Sequence, residues 1–379
     1  MSEPEVDITT PAADASGVEP LPVEPLPVER LREALSRVSR AAPLEARGRF
    51  LVLTHRGPDP DALGACEGLR QLLAEAFDHE PVVATVGVIH RAENLALVEE
   101  LDLELEDYLA LDRERFAGVL LVDTQPEFAH TVVPDDLPIA AVFDHHVPPG
   151  GAEAPPSVQV EYRDVRLELG ATSSLIWEYM RDAGLEPSPR TASALFCGVR
   201  YDTADLSRNA TELDEEAYLA TFRCADRAAI ARIAHPPLPP VYYAELSGAL
   251  ACARRHGPLI LALMGKVENP ASVAEMADLF LRMEGCSWTL VGAEHEGGYV
   301  LSLRTDPAYG RAYPLMQRVL DGEGSFGGHG HIAGGRIALE DAGESSVRAV
   351  ERRLRTRALE LLGAASEDGI PEEGRAVHE

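Results

Sequence analysis

Lysine is almost missing from this chain: Lys266 is the only one among 34 basic residues, against 63 acids. The net charge of −29 argues against a long nucleic-acid track, which needs a basic footprint to replace condensed counterions. It leaves room for a short phosphorylated ligand held by metal ions and a few arginines, the better fork for phosphate. The arginine bias itself reads first as genomic base composition. Cysteine is scarce as well. The five present (Cys66, Cys197, Cys224, Cys252 and Cys286) are odd in number, widely spaced and never in a CxxC pair. That pattern argues against a disulfide framework or a thiolate zinc site; most are expected to be small buried side chains in a reducing compartment. Long apolar runs are absent too. No window approaches the roughly 18 residues a membrane-spanning helix needs. The acidic start, Met1-Ser2-Glu3-Pro4-Glu5, lacks the basic and apolar regions of a signal peptide. The expected location is the cytoplasm, with no membrane partner.

What is present suffices for two domains in 379 residues. Residues 1–25 read as a disordered, acidic, proline-rich tail in which Glu-Pro-Leu-Pro-Val occurs twice. A helix follows over 29–41, with apolar Leu31, Leu35 and Val38 on one face that could serve a homodimer. Apolar runs over 49–54, 81–86, 119–122, 139–143 and 158–162 are expected strands, interleaved with helical patterns. Helices are expected over 171–183, 189–199, 214–224 and 227–234. This alternation indicates an α/β fold with a mostly parallel, doubly wound sheet over 26–234. His235-Pro236-Pro237-Leu238-Pro239-Pro240 is a stiff linker. Beyond it, 241–362 reads as a smaller α/β unit, opening with a helix over 241–255, and 363–379 as a second disordered tail.

Three of the expected strands end in acid or histidine, which core packing does not require. The first runs into His55-Arg56-Gly57-Pro58-Asp59-Pro60-Asp61, the next ends at Asp123, and the next at Asp144-His145-His146. Strand ends are where open α/β sheets bind ligands. The spacing of His55, Asp59 and Asp61 lets one bent loop aim all three at a point. Mixed oxygen and imidazole donors suit manganese, iron or zinc better than calcium. The bland alternative is a turn with Asp61 capping the next helix. Asp202 ends a helix, where a carboxylate opposes the dipole, so another partner is expected for it. In the second unit, Gly327-Gly328-His329-Gly330-His331 forms a glycine-dense loop. With Arg304 on a nearby strand it suggests a phosphate pocket.

Taken together these stretches resemble the DHH phosphoesterase family, named for the triplet at Asp144-His145-His146. The resemblance runs from about Arg49 to Gly335, and its motifs appear in order. The second unit resembles the associated DHHA1 domain through Gly327-Gly328-His329-Gly330-His331-Ile332-Ala333-Gly334, with isoleucine where alanine is usual. The nearest subgroup is the nanoRNase and phosphoadenosine-phosphate (pAp) phosphatase type. The resemblance implies two divalent ions, manganese first, with magnesium, cobalt or iron as alternatives. His55, Asp59 and Asp123 would hold one, and Asp61, Asp123, His145 and Asp202 the other. Asp144 would orient a histidine, and His146 would contact the scissile phosphate or assist the leaving oxygen. Arg304, His329, His331, Gly327 and Gly328 would grip the far end of a short oligonucleotide or phosphorylated nucleotide across a cleft between the units. An Arg304 substitution would then act mainly on KM. The competing expectations are an exopolyphosphatase, a cyclic or linear dinucleotide phosphodiesterase, and a non-enzymatic nucleotide-binding regulator. A pyrophosphatase is less expected, because that branch carries a different C-terminal domain.

Overall fold

The computed structural model of the chain describes residues 25–128, 130–148, 151, 156, 158–339, 341, 343–361 and 374–377. The expected N-terminal tail lies outside the described residues apart from residue 25. In chain order the elements are α1 (Pro27–Ala41), β1 (Arg49–Leu53), α2 (Pro60–Gln71), β2 (Glu80–Thr85), α3 (Ala92–Glu100), β3 (Glu106–Asp107), β4 (Gly118–Val122), β5 (Ile139–Asp144) and β6 (Arg163–Val165). Helices α4 (Thr172–Asp182), α5 (Pro189–Asp202), α6 (Glu212–Cys224), α7 (Arg227–Ala234) and α8 (Pro240–Cys252) follow. The remainder is β7 (Arg254–His256), β8 (Leu259–Lys266), α9 (Ala271–Leu281), β9 (Trp288–His295), β10 (Gly298–Thr305), α10 (Ala312–Leu320), β11 (Ser325–His329), β12 (Ile332–Ala338), α11 (Glu344–Leu361) and β13 (Arg375–Ala376).

Strands β1 to β6 form one parallel sheet in the order β3-β2-β1-β4-β5-β6. Its central strands are apolar throughout because both faces are covered. Phe50, Val52, Leu120, Val122 and Phe143 pack on one side, with α1, α2 and α4. Leu51, Leu53, Val119, Leu121 and Val142 pack on the other, against Tyr108 and Phe116. The order reverses between β1 and β4, the switch point at which doubly wound sheets open a crevice at their carboxyl ends.

The second sheet has the order β11-β12-β10-β9-β8-β7-β13, with only β8 and β9 parallel. Leu259, Leu261, Leu301 and Leu303 face α10 and α11, while Ile260, Ala262 and Val291 face α8 and α9. The mixed α/β architecture with two sheets agrees with the expected fold. Among the described residues no helix is long and apolar enough to cross a membrane.

Several expectations need correction. The strand expected over 158–162 is reduced to a bridge at Val160, and the paired edge strand is β6. All three residues of this edge strand are only partly buried, so it needs little hydrophobicity, and the polar Arg163-Asp164 pair gave no signal. Pro240 is the first residue of α8, where its missing N–H costs nothing, and not part of the linker. The helix expected to reach residue 255 stops at Cys252, because Arg254 and Arg255 pair with β8. In the expected C-terminal tail, Arg375 and Ala376 form β13 against β7. The glycine-dense stretch is a hairpin, β11 and β12, and not a loop. The apolar face of α1 is covered by the chain's own sheet, with Leu31 and Leu35 fully buried, so it offers no dimer surface. Burying two such leucines contributes roughly 3–6 kcal/mol. Of the cysteines only Cys66 and Cys197 are buried, and all five are free.

The two halves meet at Arg91, which precedes α3. Its guanidinium donates to the Tyr201 hydroxyl at 2.8 Å and lies 3.8 Å from Asp278 of α9. Asp278 in turn accepts from Arg304 Nε at 2.5 Å. Glu275 shares this junction. Burial, then the Glu93 carboxylate, push its pKa up to about 7 from 4.5. Such a carboxyl binds more protons folded than unfolded, so its stabilising contribution is complete below pH 4.5 and lost as pH rises through about 7. Glu275→Gln is therefore expected to flatten the fall in melting temperature across that window. Identical pH profiles for the two proteins would contradict this.

Candidate metal centre

The crevice at the switch point collects side chains from five segments. His55 follows β1, and its Nε2 lies 3.6 Å from Asp123 Oδ2. Asp59 is the N-cap of α2: its Oδ1 accepts from the Asp61 and Ala62 amides at 3.1 and 3.0 Å. The cap is thus Asp59 and not Asp61. Asp61 sits in the first turn of α2, fully buried, with its two oxygens taken by the Thr172 and Ser173 amides at 2.7 and 2.8 Å. Those amides open α4, so the helix dipole and two unfilled N–H groups steady the carboxylate.

Asp123 is the hub. It follows β4 with φ of 57°, a left-handed conformation that costs a non-glycine residue on the order of 1 kcal/mol. Its amide donates to the Phe143 carbonyl at 2.8 Å, and its Oδ1 accepts from the Thr172 hydroxyl at 2.8 Å. His145 Nε2 and His146 Nδ1 each lie 3.8 Å from that oxygen. Asp144, fully buried, has one oxygen on His146 Nδ1 at 2.8 Å and the other on Gln125 Nε2 at 2.7 Å. His145 has its Nδ1 on the Leu169 carbonyl at 3.0 Å, which aims Nε2 inward. That nitrogen stands 3.2, 3.8 and 3.9 Å from Asp202, Asp123 and Asp61. Asp202 ends α5, and His145 is the partner its position called for.

Three donor groups result: His55 with Asp59 and Asp123, Asp61 with His145 and Asp202, and Asp123 with His145 and His146. Their electrostatics fit divalent cations. Burial and mutual repulsion push Asp59 up to about 6 and Asp61 well above the usual carboxylate range. Burial opposes charge on the histidines, yet the carboxylates raise His55 and His146 to about 9 and His145 well above its ordinary value. Against its own burial, Asp123 is held far down by these imidazoles. Protons on the histidines stand in for charge that a cation would supply and would leave as it bound. The buried His145 Nε2 makes no aligned hydrogen bond although three carboxylates surround it. Such a nitrogen, ringed by carboxylates, fits sharing with a cation.

Gln125, Thr172, Ser173 and the Leu169 carbonyl hold this centre together, and sequence reasoning missed all four. The Thr-Ser-Ser run at the start of α4 was a helix-start signal, but its partner Asp61 is more than 100 residues away.

On the second sheet, Arg304 in β10 stands opposite Ile332 in β12. Its guanidinium is buried on Asp278 and the Ser302 hydroxyl. His331 Nδ1 contacts the Gly310 carbonyl at 3.0 Å and the Thr305 hydroxyl at 3.2 Å. Gly327 and Gly328 are exposed in β11. Gly328 has φ of 147°, and a Cβ there would meet the Ile332 carbonyl. His329 pairs with Ile332, and its side chain lies outside the described residues. A cleft of about 260 Å³ beside Asp59 is lined by Arg91, Asn94, Tyr201 and, from the other half, Ala271.

Residues 49–199 match the family described as DHH family, N-terminal domain. The chain is 29% identical over 334 residues to an uncharacterized protein of Methanocaldococcus jannaschii, covering 86% of this chain and 66% of that protein. It is 26% identical over 178 residues to a probable manganese-dependent inorganic pyrophosphatase of Streptococcus suis, covering 44% and 52%. The chain thus spans between about half and two thirds of these relatives. In fold it is similar to a crystal structure of an exopolyphosphatase-related protein from Bacteroides fragilis, with a TM-score of 0.66 at 15% identity over 88% of this chain and 98% of that one. The matched segment carries every donor of the centre except Asp202, and over residues 49–199 the chain matches the DHH family's N-terminal domain.

Proposed function

We propose that the chain is a divalent-metal-dependent phosphoesterase that hydrolyses short oligoribonucleotides to mononucleotides and also releases phosphate from pAp. The observation that carries this reading is the set of three overlapping donor groups, two of them sharing Asp123, at the switch point of the sheet. His55, Asp59 and Asp123 would hold one ion, and Asp61, Asp123, His145 and Asp202 the second, with manganese the preferred metal. Divalent cations bound there supply Lewis acidity toward water and the phosphoryl oxygens.

The chain's own residues do the rest. Asp144 holds a proton at His146 Nδ1, and His146 is proposed to meet the phosphate or the departing oxygen. Gln125 fixes this pair by donating to Asp144 Oδ2 and to the His146 carbonyl. Gln125→Ala is expected to lower kcat roughly 10- to 100-fold, as loss of an orienting partner does, with Mn2+ still bound. Wild-type turnover in that variant would contradict the role. Arg304, His329, His331, Gly327 and Gly328 are proposed to hold the far end of the substrate, Arg304 exchanging Asp278 for phosphate. A fixed distance between grip and centre would favour short substrates and fits the acidic net charge.

The test is hydrolysis, with Mn2+, of a 5′-labelled RNA dinucleotide, a long oligoribonucleotide and pAp. Rapid cleavage of the dinucleotide and slow attack on the long RNA are expected. Silence on all three from metal-loaded protein would overturn the reading and favour polyphosphate or cyclic dinucleotides.

A further inference from the structure

The segment after β4 carries two aromatic rings that packing does not explain. Phe128 is half-buried and His130 exposed, and Phe128 belongs to none of the hydrophobic clusters of the described residues. The rings are stacked face to face, with centroids 5.3 Å apart and 12° between planes. His130 stands edge-on to His55 at 5.5 Å, and Phe128 edge-on to His146 at 6.2 Å. The pair therefore bridges the two sides of the metal centre.

The backbone under the rings is pinned. The Arg56 amide donates to the His130 carbonyl at 3.3 Å, the Phe128 amide to Gln125 at 3.1 Å and the Thr131 amide to Phe128 at 3.1 Å. Gln125 is in turn tied to Asp144. An aromatic stack held rigidly at the edge of such a centre has one chemical use that side-chain packing does not supply. It offers a π face to a flat ring whose phosphate lies at the metals, and stacking of this kind is tolerant of which base arrives. A phosphate chain without a base gains nothing from it.

We propose that His130, backed by Phe128, is a stacking platform for the base of a nucleotide whose phosphate occupies the metal centre. This rests on the phosphoesterase reading and makes its substrate a nucleotide rather than an inorganic phosphate chain.

The first probe is 2-aminopurine riboside 5′-monophosphate, whose fluorescence is quenched on stacking, titrated into full-length protein with Mn2+. Quenching is expected in the wild type, lost in His130→Ala and kept in His130→Phe, which restores a flat ring. For the RNA dinucleotide, His130→Ala and Phe128→Ala are expected to raise KM on the order of 10-fold, with kcat nearly constant and wild-type Mn2+ stoichiometry. Unchanged quenching and KM in His130→Ala would overturn the platform. Equal impairment in the alanine and phenylalanine variants would also overturn it, since the imidazole would then act through its nitrogens. Failure of the wild type to cleave the dinucleotide, the long RNA and pAp would refute the phosphoesterase reading, while quenching, which needs no turnover, would still judge the platform.

Discussion

Replacing Asp123 by asparagine is expected to lower kcat roughly a thousandfold, near the upper range for losing one electrostatic stabiliser at a reacting centre. The size follows from position. Asp123 lies 3.6 Å from His55, 3.8 Å from His145 and 3.8 Å from His146, so one carboxylate serves two of the three donor groups and borders the third through His145. Asparagine keeps the volume and can still accept from the Thr172 hydroxyl, so the fold should survive. What disappears is the charge that the two proposed cation positions would share. Steady-state kinetics at saturating Mn2+ provide the check. Turnover within tenfold of wild type would show that Asp123 is not the hub.

Gly198→Ala should show the second large effect, on stability and metal binding together. A Cβ at Gly198 would lie 2.1 Å from Ser173 Oγ and 3.0 Å from Asp61 Oδ1. Ser173 is fully buried, and its amide holds that same Asp61 oxygen at 2.8 Å. To make room, the Ser173 hydroxyl must give up its bond to the Asp61 carbonyl or α4 must shift away from Asp61. Overpacking of this kind costs about 1–3 kcal/mol, against a gain of about 1 kcal/mol for removing glycine from a helix. The net expectation is destabilisation by up to about 2 kcal/mol with weakened Mn2+ binding. Gly248→Ala in α8 is the control, because a Cβ there meets nothing within 4 Å; it should be neutral or mildly stabilising. Urea unfolding of the two variants separates the effects. A Gly198→Ala protein with wild-type stability and metal affinity would contradict the packing described.

The parts of this centre that were legible in sequence share one property: each lies where an apolar run stops. Asp123, Asp144, His145 and His146 interrupt strands that are otherwise buried on both faces, so their chemistry stood out against the pattern. The choice between Asp59 and Asp61 as helix cap was readable too, had Pro60 been given its weight. Proline at the first helical position makes the preceding residue the cap. Gln125 and Thr172 were not readable, because their partners lie 19 and 49 residues away and no local period connects them. The hairpin of β11 and β12 escaped for the opposite reason. Glycine suppresses strand propensity, and here the pairing comes from the backbone register with β10, not from side chains.

The proposed binding of two divalent ions in this crevice through a shared Asp123 is decided by calorimetric titration of metal-free protein with Mn2+. Two equivalents bound by the wild type, with both lost or greatly weakened in Asp123→Asn, is the predicted result. Binding of a single ion, or of two ions unaffected by that substitution, would contradict it.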